Sequence, residues 1–202
     1  MTVQESSWKA RPESGDYDAV RQRLVDATED LVREGGVSAL RQDAIAARVG
    51  LARSSVYRYF DSKEELVIAA VVQSTLRIGS RIQAEIGVEA DPEQLLVTGI
   101  VDSLAAMASD PLVHALTLPT SSRAMTRLSN NALTQGIRPL LEPVFATAAE
   151  RGVLRSGVTV DDALRWLQIV ALGLMQAPNV ASDRDSLEAL LHLMLVPALI
   201  EP

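Results

Sequence analysis

There is no cysteine in the chain, which excludes disulfide staples, thiolate metal sites and a cysteine nucleophile. No apolar run approaches the length of about 18 residues at which a membrane-spanning helix is suspected, so no membrane partner is expected. The two histidines, His114 and His192, stand far apart and lack the short spacings that bring imidazoles together on a metal. Aromatic residues make up only 3% of the sequence, too few for a pocket of stacked rings around a flat cation. Lysine is scarce beside arginine, a bias that a GC-rich genome produces unaided, so the arginine total carries no weight as a sign of DNA contact. Nothing matches a phosphate loop, a nucleophile elbow or a dinucleotide fingerprint; neither a catalytic site nor a cofactor is expected. The opening MTVQESSWKARPESGD is polar and does not read as a signal peptide, which points to the cytoplasm. Residues 1–15 read as a disordered arm, with a course along DNA as a further option.

What is present is helical punctuation around abundant apolar residues, 48% of the 202. No strand pattern occurs, and the breaks divide the chain into about ten helices, an all-α fold. A first helix from about Asp16 to Glu34 buries Val20, Leu24, Ala27 and Leu31 and ends at Gly35-Gly36. Ser62-Lys63-Glu64-Glu65 has the form of a capping box opening a long helix to about Ile86. Asp91-Pro92-Glu93-Gln94 opens the next, Asp110-Pro111 a short one, and 120–133 another. Residues 137–151 follow, irregular at Pro139 and Pro143. Thr159 caps a strongly apolar helix over 161–177, and a last helix covers 186–200. Charge is divided unevenly. Residues 41–63 hold five basic residues against two acidic ones, a local +3, whereas 66–202 hold nine arginines against fourteen acids, a local −5. The whole chain carries −7, so a basic tip on an acidic body would orient the molecule toward phosphate.

Residues 41–66 carry the most specific signal. A helix over 41–49 has Ile45 and Val49 on one face, and Gly50 stops it with a residue free to adopt the left-handed conformation. A second helix of about two turns is expected over 53–60. Two helices joined by so short a turn form a helix-turn-helix, whose second helix enters the major groove. Arg53, Ser54, Ser55, Tyr57 and Arg58 suit the task, since Arg, Ser and Tyr hydrogen-bond phosphate and Arg and Ser also reach base edges.

This stretch resembles the tetracycline-repressor (TetR) family of bacterial transcriptional regulators. The resemblance rests on Ile45-Ala46 and Gly50, then Val56-Tyr57-Arg58-Tyr59-Phe60, then Ser62-Lys63-Glu64-Glu65-Leu66, and thins downstream to Glu150-Arg151-Gly152-Val153-Leu154-Arg155 and a hydrophobic last pair of helices. It implies a three-helix DNA-binding head over 16–65 and a ligand-binding and dimerisation body over 66–202. It also implies that Tyr57 faces the DNA backbone, that Phe60 anchors the head's core, that Tyr59 does either, and that Lys63 meets phosphate at a helix N-terminus. Two positions depart from the pattern: Leu40-Arg41 and Ala52 replace the usual cap hydroxyls, which weakens the caps. Arg41 can make the phosphate contact instead, and Gln42 and Asp43 stand beside it.

In the body, Leu104, Met107, Met125 and Leu141, with His114 as a polar contact and Phe145 and Trp166 as the two aromatic rings, are the expected lining of a site for a small apolar effector; a vestigial, filled pocket is the alternative. Leu164, Leu167, Ala171 and Leu174, with Leu187, Leu191 and Met194, form apolar stripes on helices too hydrophobic for a monomer's surface. The resemblance implies that they build a four-helix homodimer interface. The function expected is that of a ligand-responsive one-component regulator, a repressor on a palindromic operator. A helical small-molecule carrier without an operator is the alternative.

Overall fold

The computed structural model describes residues 14–87, 90–113, 133–175, 177–181 and 183–201. Among them every regular element is helical, and the chain divides into two compact units, Met1–Val67 and Ile68–Pro202. The expected N-terminal arm lies almost wholly outside the described residues, as do the helix expected over 120–133 and most of the one beginning at Pro111.

In the first unit, α1 (Ser14–Gly35) packs against α2 (Gln42–Val49). Leu24, Ile45, Val56, Phe60 and Leu66 are almost completely buried, which fixes a small core from three directions. Gly50 ends α2 at φ 77°, and its N–H returns to the Ala47 carbonyl at 3.1 Å. Glycine takes that conformation without a Cβ penalty. The second motif helix is shorter and tighter than the sequence suggests: Arg53–Arg58 is a 3-10 segment, with Ser55 N–H on the Ala52 carbonyl at 2.9 Å. Ala52 caps it without a side-chain hydrogen bond, and the serines and Val56 are poor helix formers. Little local preference therefore resists the tighter winding.

The second unit comprises the rest of α3 (Lys63–Ile86), then α4 (Pro92–Ala108), α5 (Leu133–Glu150), α6 (Val160–Met175) and α7 (Arg184–Met194). Its core joins Leu96, Leu104, Phe145, Leu164, Leu187 and Leu199. The α6 start is a reciprocal box: Asp162 N–H donates to Thr159 Oγ1 at 3.1 Å, and the Thr159 hydroxyl donates back to the Asp162 carboxylate at 2.6 Å. At α4 the start is simpler. Asp91 caps without a side-chain hydrogen bond, and Pro92, lacking an N–H to satisfy, does the starting. Nor is the last helix continuous. It breaks at Leu195, because Pro197 cannot donate one turn back, and resumes as the single turn Val196–Leu199. Ile200 is extended and bridges Leu154, with Arg155 N–H on the Leu199 carbonyl and Glu201 N–H on the Val153 carbonyl, both at 2.8 Å. The 150–155 segment, turned by Gly152 at φ 69°, thereby secures the chain's last residues.

Candidate nucleic-acid interface and apolar cavity

A groove reader must present donors and cations that its own fold has not already used. Of the basic residues in 41–63, two are occupied. Arg41 pairs with Asp43 at 3.1 Å, and Arg48 with Glu34, one hydrogen bond of that pair measuring 2.8 Å. The Arg41 hydrogen bond holds the Asp43 carboxyl below its ordinary value, and Arg48 does the same for Glu34. Arg53, Arg58 and Lys63 are exposed and make no ion pair with any described residue. Three cations thus stand free in this stretch, while Arg41, an expected DNA contact, is paired.

Tyr57 is 53% exposed, a large apolar ring left in solvent on the Arg53–Arg58 segment. Its hydroxyl donates to Gln42 Oε1 at 3.0 Å, so these two expected DNA contacts share one orientation across the two motif elements. Ser54 is exposed and Ser55 half-buried, with Val56 buried beneath them. Tyr59 turns the other way: its ring lies 4.9 Å from that of Tyr17, and the Tyr17 hydroxyl donates to the Arg58 carbonyl at 3.1 Å. Of its two expected roles, packing is the one this geometry serves.

The support behind the segment includes residues that sequence reading did not single out. The Arg21 guanidinium lies 4.2 Å from the centre of the Phe60 ring and 3.6 Å from Glu65. Arg23 donates to the Val49 carbonyl at 2.8 Å, placing a cation at the negative end of α2. Tyr17 and Arg21, one helical turn apart on α1, were the available signal, but their partners come from distant sequence. At the start of α3, Ser62 Oγ accepts from Glu65 N–H at 3.1 Å, while Glu65 reaches back to Asp61 N–H at 2.7 Å. The box closes one residue earlier than its usual form. It leaves Lys63 exposed in the first turn, beside the helix's own unpaired amides.

The second unit holds a cavity of about 130 Å³ between α3, α4, α5 and α6. Leu104, Met107 and Leu141 of the expected lining are on its walls, joined by Leu140, Val144 and Met175. Two expected members are not. Phe145 is fully buried in the surrounding core, and Trp166 is 42% exposed on the outward face of α6. His114 and Met125 lie outside the described residues. No aromatic or charged residue is on the walls among the described residues; the polar ones are Thr75, Gln83 and Ser103.

The stripes expected at a subunit interface are mostly spent inside the chain. Leu164, Leu174, Leu187 and Leu191 are buried in its own core, and Leu167 and Ala171 line the cavity. Only Met194, 63% exposed, is available to a partner. The most apolar stripe of a helix fills the nearest core first, and periodicity does not say whose core that is. What remains outside are other apolar side chains: Trp166 and Ile169 on α6, and Leu190, Leu193 and Met194 on α7, with Leu193 72% exposed. Gly173 continues the α6 face and is exposed, with nothing within 4 Å of an added Cβ.

Residues 24–70 match the family described as bacterial regulatory proteins, tetR family. That stretch of the chain is similar to the tetR family. Among curated relatives, the HTH-type transcriptional regulator Rv1255c of Mycobacterium tuberculosis is 32% identical over 93 residues, 46% of each chain. That match spans about half the length of this relative. The HTH-type transcriptional repressor KstR of Rhodococcus jostii is 28% identical over 186 residues, covering 87% of this chain and 82% of the relative. Among solved structures, the transcriptional repressor QsdR of R. erythropolis superposes with a TM-score of 0.70 at 16% identity, over 90% of this chain and 95% of that one. At that identity the likeness is one of fold. The tetR-family segment covers α2, the Arg53–Arg58 segment and the capped start of α3, the elements that carry Tyr57 and the free cations.

Among the described residues no group of His, Asp and Glu could hold a metal ion, and no helix is long and apolar enough to cross a membrane.

Proposed function

We propose that this chain is a ligand-responsive transcriptional regulator, a repressor that binds a palindromic operator as a homodimer. The observation that carries the reading is the Arg53–Arg58 segment of a helix-turn-helix, presenting Arg53, Tyr57 and Arg58 to solvent with Lys63 at the adjoining helix start. The repressor name of the relative KstR supports the sign of regulation. In this reading the Arg53–Arg58 segment enters the major groove, Tyr57 and Lys63 hold phosphate, and the ion-paired Arg41 is a contact held in reserve. The homodimer forms through Trp166, Ile169, Leu190, Leu193 and Met194. Large apolar side chains left exposed on α6 and α7 favour an interaction site there, and a two-fold operator requires the same surface from both copies. A small apolar effector in the cavity would shift α3 and move the paired heads out of register with successive major grooves. The coupling between sites in such switches is typically ~1–3 kcal/mol.

Binding of the pure chain to DNA flanking its own gene, followed by gel shift, tests the reading. Retarded DNA that competitor of unrelated sequence does not displace is the expected result. A helical carrier without an operator accounts for the cavity but not for the free cations, and a chain indifferent to DNA while binding small molecules would establish that alternative. Lys63→Ala should weaken binding to all sequences alike and lower the salt slope by about one unit per subunit. An unchanged slope would mean that Lys63 never meets phosphate.

A further inference from the structure

A threonine hydroxyl inside a helix ordinarily bonds a carbonyl one turn back. Thr28 does so, donating to the Leu24 carbonyl at 2.8 Å. Thr75 is also buried, at 6% exposure, yet its side chain makes no hydrogen bond to any described residue and it lines the cavity. Ser103, on the α4 wall, is likewise without a side-chain partner among the described residues. Thr75 and Gly79 on α3 and Ser103 and Gly99 on α4 all line the same cavity. Leu140 fills the space beside Gly79, whereas nothing lies within 4 Å of a Cβ built on Gly99; the open room is on the α4 side.

We propose that the cavity takes an uncharged aliphatic molecule with one hydroxyl or carbonyl group, which exchanges hydrogen bonds with Thr75 and Ser103 while its hydrocarbon body lies against Gly99. The proposal deepens the ligand-responsive reading and rests on it. Charge is excluded by the walls. A carboxylate or ammonium would be desolvated with no opposite charge among the described lining residues, a heavy cost in apolar surroundings. Size is set by the volume of about 130 Å³, close to a cavity of about 150 Å³ that holds benzene. Molecules of about six or seven heavy atoms fit. Both protein hydroxyls can donate or accept, so an alcohol and a ketone satisfy them equally.

The test is calorimetric titration of the full chain with pentan-1-ol, pentan-2-one, pentanoate, pentylammonium and cyclopentane at neutral pH. The alcohol and the ketone should bind at least tenfold more tightly than either ion. Thr75→Val, which keeps the shape and removes the hydroxyl, should weaken the alcohol about three- to tenfold, the worth of one net hydrogen bond, and leave cyclopentane unchanged. Ser103→Ala should act in the same direction. Gly99→Leu should abolish binding of every probe in a protein that still melts cooperatively, which places the binding in this cavity. Ions that bind as tightly as the alcohol, an alcohol affinity indifferent to Thr75→Val, or no binding by any probe would each overturn the proposal. Release of DNA is read separately. Probes that bind as described without releasing DNA would refute the regulatory reading and leave the cavity's preference standing.

Discussion

Tyr57 and Phe60 lie three positions apart and do opposite things, one 53% exposed and the other 2%. The family resemblance made that division legible, because it implies that Phe60 anchors the core while Tyr57 faces outward. Arg21 was not legible, since a cation over an aromatic ring joins residues that only the folded chain brings together. Nor was the state of Arg41. Its partner Asp43 is two residues away, and the resulting hydrogen bond holds the Asp43 carboxyl below its ordinary 3.8. A carboxylate so lowered contributes to stability above that ordinary value, and the contribution is lost as pH falls through the lowered one. The pair therefore persists near neutrality, and mild acid does not release Arg41. Removing Asp43 does. Asp43→Ala should tighten DNA binding and steepen the salt slope by about one unit per subunit, as a freed Arg41 takes up a phosphate. Salt titrations indistinguishable from wild type would show that Arg41 stays clear of DNA.

Among the elements, α6 and α7 show how far apolar periodicity reaches. It identified both helices and their buried stripes, but those stripes pack the chain's own core and wall the cavity. The outward face is marked by interrupted residues, Trp166 and Ile169, then Leu190 and Leu193, which a search for the strongest stripe passes over. Neighbouring leucines now separate the two roles. Leu191, 2% exposed, should cost about 2–5 kcal/mol of folding stability when cut to Ala. Leu193→Glu, at an exposed position, should change the stability of the single chain by no more than about 0.5 kcal/mol while abolishing dimers. Chemical denaturation and sedimentation measure the two effects. A dimeric Leu193→Glu protein would place the interface elsewhere. Glycines make a second contrast. A Cβ on Gly136 would meet Val72 Cγ1 at 2.2 Å, against a β-branched side chain with little rotamer freedom, so Gly136→Ala should lower the melting temperature. Gly99→Ala meets nothing and should gain up to about 1 kcal/mol from helix propensity. Equal melting temperatures for the two variants would contradict the packing described for α5.

At the scale of the whole molecule, the helical class and the long α3 could be read from the sequence because caps and apolar spacing are local signals. The cavity could be read only in part. Leu104, Met107 and Leu141 were found from composition, while Thr75 and Ser103 became visible only when the fold placed them on its walls. A net charge of −7 on a DNA-reading chain is consistent with a locally basic tip, and it predicts that binding to random DNA is weak and falls steeply with salt. In this reading a pair of these heads binds a two-fold operator. Its most direct measurement is selection of DNA from a random pool by the purified chain, with the stoichiometry of the recovered complexes determined by sedimentation. Enrichment of an inverted repeat whose half-sites lie about one helical turn apart, each repeat bound by a pair of chains, is the expected result. A pool no different from the input after selection, or single chains bound to asymmetric sites, would contradict it.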